Sequence, residues 1–123
     1  MREITLFVNN LVGDIPELKP IYDENVGEYG ELQEHLFMGD LTRYVIGIHK
    51  IILSGDSNSK YIEQILKRTL SILETGMQSK NSDVRDLIGA SFIENLEHKD
   101  KDLSELKSYF GPALRKQLEY WED

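Results

Sequence analysis

Between Lys60 and Gln78 the apolar residues fall at Ile62, Ile65, Leu66, Leu70, Leu73 and Met77, with Thr69 completing the row. Steps of three and four place them on one face of an amphipathic helix. Ser59 is placed to cap its start, and Gly76 marks a helix nearing its end. Lys60, Glu63, Lys67, Glu74 and Gln78 fall on the wet side. A stripe that wide is not stable alone in water, so the rest of the chain must supply helices to cover it.

The remaining periodicity supplies them. Ile4, Phe7 and Leu11 share a face on a short first helix that Gly13-Asp14 ends. Pro16 suits the first turn of a second helix carrying Leu18, Ile21, Tyr22 and Val26. Pro20 bends that helix or delays its true start, and Gly27 and Gly30 close it. From Glu31 the pattern predicts a short turn broken at Met38-Gly39. Asp40 then caps a strongly apolar helix from Leu41 to Leu53, which is expected near the centre. Ile51 and Leu53 widen its stripe, and Gly47 marks a close approach by a neighbour.

After the loop Ser54 to Ser59 and the Lys60 helix, Asn81 or Ser82 caps a helix holding Val84, Leu87, Ile88, Ser91, Phe92 and Leu96. Gly89, Ala90 and Ser91 would let another helix come close. A charged loop at His98 to Asp102, a short helix at Leu103 to Phe110 and a last helix after Gly111-Pro112 finish the chain. Trp121 is expected to dock on the core. Strand alternation is absent and prolines number only three. The reading is an all-α single domain over residues 1–123, with five to seven helices in a bundle or irregular stack.

Charge narrows the partners. Of a net −8, the stretch from Asp14 to Asp40 holds −7: eight acidic residues against the one base Lys19. Direct nucleic-acid binding needs a basic footprint, so a basic protein is the easier partner. Cysteine is absent, which excludes disulfides, thiolate metal sites and cysteine nucleophiles. No signal peptide or membrane span is read, and the protein is expected in the cytoplasm. No metal or cofactor is expected. His35, with Glu31, Glu34 and Asp40 nearby, matches no zinc or di-iron spacing. His49 on its apolar helix reads as a core histidine with one hydrogen-bond partner, and His98 as a solvated one.

Three segments occur in a telling order: Tyr29-Gly30-Glu31-Leu32 with His35 to Leu41, then Val84 to Leu96, then Phe110-Gly111-Pro112-Ala113-Leu114-Arg115. Together they resemble a family of small acidic all-helical bacterial proteins. That family includes immunity proteins of contact-dependent growth inhibition and other polymorphic toxin systems. The resemblance spans Pro16 to Leu114. It implies a stoichiometric inhibitor of a cognate toxin domain, a nuclease being the natural target of an acidic surface, and it transfers no catalytic motif. The expected contact residues are Glu24, Glu28, Glu31, Glu34, His35 and Asp40. A small enzyme using His35 and nearby carboxylates, and an adaptor for another partner, are the competing classes.

Overall fold

A computed structural model of the chain describes residues 1–96 and 103–122, with the backbone alone at Trp121 and Glu122. The charged loop with His98 and the docking of the Trp121 side chain lie outside the described residues. Seven α-helices follow in order: α1 Glu3–Asp14, α2 Lys19–Tyr29, α3 Glu34–Ser54, α4 Ser59–Met77, α5 Ser82–Ile88, α6 Leu103–Leu106 and α7 Pro112–Glu122. Among the described residues there is no strand, and the architecture is all-α.

The Lys60 stripe becomes α4, whose face Ile65, Leu66, Thr69, Leu70 and Leu73 is buried. It packs most extensively on α3 and also meets α5 and α7. Leu87, Ile88, Leu114 and Leu118 complete a single core with these residues. Pro20 delays α2: Pro16–Leu18 form a separate 3₁₀ turn before Lys19. The helix then runs through Gly27 and stops at Gly30, whose φ of 77° is the left-handed turn that glycine takes at a helix end.

The expected break at Met38-Gly39 does not exist, because α3 is one helix of 21 residues. Asn25, buried on α2, explains the early start. Its side-chain oxygen accepts from the Gln33 backbone N–H at 2.8 Å, and its amide donates to the Gln33 carbonyl at 3.1 Å. This clasp fixes the chain one residue ahead of Glu34 and sets the helix from there. Asp40 is therefore no cap; it sits mid-helix and pairs with Arg43. Ile51 and Leu53 are exposed rather than packed.

The close approach expected at Gly47 occurs at Gly76 instead. Gly76 lies in the last turn of α4, which ends at Met77 as its position suggests. A Cβ there would lie 2.5 Å from Ile88 Cδ1 and 2.8 Å from Phe7 Cε1, so it also lets α1 and α5 approach. Gly47 has nothing within 4 Å of such a Cβ. Gly47→Ala is therefore expected to stabilise the fold by about 0.5–1 kcal/mol through helix propensity. A shift of the urea midpoint upward at constant slope measures it; a destabilised variant would show a contact at that face.

Gly89 behaves as expected: a Cβ there would lie 3.0 Å from Gln117 Nε2 of α7. The helix around it does not stay regular. After Ile88 the backbone widens into a π-turn over Gly89–Ile93 and tightens into a 3₁₀ turn over Glu94–Leu96. One extra residue per turn carries both Phe92 and Ile93 into the core. The carbonyls loosened by the widening find side chains: Thr42 donates to Phe92 O at 3.1 Å and Asn95 to Ser91 O at 2.7 Å. His49 is buried as expected, but among the described residues its Nδ1 has no hydrogen-bond partner; its ring instead meets Tyr109 edge to face at 6.0 Å.

Candidate functional site

The six residues singled out by charge and resemblance separate into three settings. Glu24 and Glu28 are exposed on α2, four residues apart and so on one face. Glu31 is exposed just beyond Gly30 and takes a 3.4 Å contact from Gln33 Nε2. Among the described residues none of these three carboxylates has a cationic partner. Asp23, beside them, is paired with Lys19 at 2.8 Å. The inner side of α2 holds on through half-buried Ile21, Tyr22 and Val26, with Asn25 its only buried residue. Tyr22 donates to Asn9 of α1 at 2.9 Å, which ties this acidic helix to α1.

Glu34 does not belong to that surface. It is 5% exposed, takes two hydrogen bonds from Arg2 at 3.0 and 3.1 Å, and a third from Thr5 at 2.5 Å. Burial pushes its carboxyl upward, but the Thr5 and backbone hydrogen bonds and the Arg2 charge outweigh it and leave the pKa below the usual value. The residue joins the starts of α1 and α3. Asp40 is also spent, on Arg43. Glu17 accepts the Tyr61 hydroxyl at 2.5 Å, which with a backbone hydrogen bond holds its carboxyl low.

His35 is exposed and faces the π-turn, where its Nδ1 lies 2.5 Å from Ser91 Oγ. His35, but not the buried Ser91, lines a cleft of about 530 Å³ together with Arg2, Glu3, Ile4, Asp83 and Asp86. None of these comes from α2, so His35 and the acidic face are separate features. Among the described residues no carboxylate is hydrogen-bonded to the His35 ring, and no cluster of three or more histidine and carboxylate side chains is arranged to hold a metal ion. No helix there is long and apolar enough to cross a membrane. Sequence reading missed Arg2, Asn25, Thr42 and Ser91 as positioning residues. Each acts on a partner distant in sequence or on a backbone turn that no residue pattern announces.

The fold and its surface define a small all-α domain with an unpaired acidic helix face. Residues 8–123 match a domain of unknown function, DUF7674, and the chain belongs to that family. No curated protein and no solved structure matches the chain.

Proposed function

We propose that this chain is an immunity-type binding protein of the cytoplasm, which neutralises a cognate basic toxin domain, of the nuclease class, by stoichiometric contact with the outer face of α2. The observation that carries the reading is the exposure of Glu24, Glu28 and Glu31 with, among the described residues, no cation paired to them. Glu24 and Glu28 share a face of α2 and Glu31 follows just past its end. Unbalanced like charges so close in the chain repel each other, a cost that a basic partner removes. A nuclease must be electropositive where it holds phosphate, and exposed carboxylates offer the same charge without a scissile bond. The resemblance of the Tyr29–Leu41, Val84–Leu96 and Phe110–Arg115 segments supports the same class.

Co-expression with a toxic product of the neighbouring gene should restore growth and yield a one-to-one complex. The triple variant Glu24→Gln, Glu28→Gln, Glu31→Gln keeps size and polarity. Its association rate at low ionic strength should fall by about tenfold or more and lose most of its salt dependence. Thermal stability should change little, since these side chains are exposed and the 3.4 Å contact from Gln33 to Glu31 is long and can be kept by an amide oxygen. An unchanged rate would place the contact elsewhere.

One observation favours a second reading, an enzyme centred on His35. His35 lines a cleft, and the 2.5 Å approach of its Nδ1 to Ser91 Oγ just inside it is the beginning of a nucleophile and base pair. That reading expects a fluorophosphonate probe to label Ser91, and His35→Ala to abolish the labelling. The binding reading expects no labelling of either protein and an intact fold in the variant.

A further inference from the structure

A second surface lies along α1, with none of its lining residues drawn from α2. α1 and α4 leave between them a groove of about 680 Å³, floored at Gly76 and Val84 and walled by Leu6, Phe7 and Ile72. Leu6 is 43% exposed, and Phe7 and Ile72 are half-buried, so the wall keeps apolar area in water. Asn10, Thr75 and Gln78 form a polar margin. An apolar strip rimmed by polar groups is the usual form of a protein contact. The ends carry charge of one sign: Glu3 at one, Asp14 at the other, with no lysine or arginine among the lining residues. Arg68 reaches the Asp14 carbonyl and not its carboxylate.

We infer that this groove receives an amphipathic helical segment of a basic protein partner. Its apolar side chains lie against Leu6, Phe7 and Ile72, and a lysine or arginine toward each end faces Glu3 and Asp14. The two acids are separated by about 16 Å along α1 at 1.5 Å per residue, which a helix of some three turns spans. A trough between two packed helices accepts a third by its apolar face. A second copy of this chain is the wrong occupant: each copy carries −8, and acid would meet acid. The inference rests on the proposed function in taking the partner to be basic. It adds where the partner is anchored, since α2 steers by charge while this groove supplies the desolvated apolar contact.

A phage-displayed library of random 16-residue peptides, panned on the full chain, tests it. Enriched peptides should carry apolar residues at spacings of three and four with lysine or arginine toward both ends. They should bind Leu6→Asn at least tenfold more weakly and shift the amide resonances of Leu6, Phe7, Ile72 and Thr75. Leu6 is exposed enough for that variant to fold, which far-ultraviolet circular dichroism checks. Absence of enrichment, selection of acidic peptides, binding indifferent to Leu6→Asn, or a wild-type dimer that Leu6→Asn dissolves would each overturn the inference. The two proposals fail separately. If the α2 triple variant loses toxin neutralisation and Leu6→Asn keeps it, the groove is refuted and the acidic face stands. If peptide binding depends on Leu6 while the triple variant associates with toxin normally, the groove stands and the α2 reading falls.

Discussion

Replacing Phe92 by alanine is expected to cost about 3–5 kcal/mol, the range for a fully buried phenylalanine. Phe92 has no exposed surface and lies within the π-turn, where Ser91 and Ile93 are buried on either side. The turn cannot easily close over the missing ring. Thr42 of α3 holds the Phe92 carbonyl, and Gln117 of α7 packs at Gly89 one turn back. The cavity therefore persists, and the cavity part of the cost is added to the transfer part. Urea unfolding should show a lower midpoint at an unchanged slope. A loss under about 1 kcal/mol would mean that the turn collapses into the space, which these two clamps argue against.

The same residue shows how far sequence can be read here. Phe92 and its partners Ile65, Leu70, Val84 and Ile88 were legible as core because burial imposes a 3.6-residue repeat, and all five are buried. Ile93 falls beside that repeat and is buried only because the π-turn adds a residue, an event the repeat itself cannot encode. Local signals misled where a distant side chain overrules them. Gly39-Asp40 reads as a break and a cap, yet the Asn25 clasp on Gln33 starts α3 earlier and Asp40 turns to Arg43.

The charge cluster was legible as composition and not as a surface. Glu34 looked like one more acid of the face, and its true partner, Arg2, is 32 residues away. What survives is Glu24 and Glu28, on a helix that buries one residue, and Glu31 in the exposed turn after it. The groove beyond α1 had no sequence signature, since Leu6 and Ile72 count as ordinary members of apolar patterns until the packing leaves them partly uncovered.

Glu74→Ala is expected to cost about 1.5–3 kcal/mol, the range for hydrogen bonds to a charged group. Gly111-Pro112 turns the chain into α7, whose first N–H groups have no helical acceptor. Glu74, reaching across from α4, serves as a cap in trans. Its two oxygens accept from Ala113 N at 2.8 Å and Leu114 N at 2.9 Å, and Gln78 donates a third bond at 3.0 Å. A Cβ on Gly111 would fall 2.5 Å from the Glu74 carboxyl carbon, so the glycine keeps that approach open. Burial raises the Glu74 pKa, but the two backbone N–H bonds and Gln78 more than offset it and leave the value below the ordinary 4.5. A carboxyl with a lowered folded pKa contributes stability that is complete above its unfolded value and is lost as pH falls through the folded one. The wild type should therefore lose stability below about pH 4.5, with Glu34 contributing in the same direction. Glu74→Gln separates charge from shape. It keeps one acceptor oxygen, so it should lose less than alanine at pH 7 and flatten the acid limb of the stability curve. Chemical denaturation of the three proteins between pH 3 and pH 7 measures this, at about one pH unit per step. Equal acid limbs for wild type and Glu74→Gln would show that the carboxylate is not what holds the start of α7.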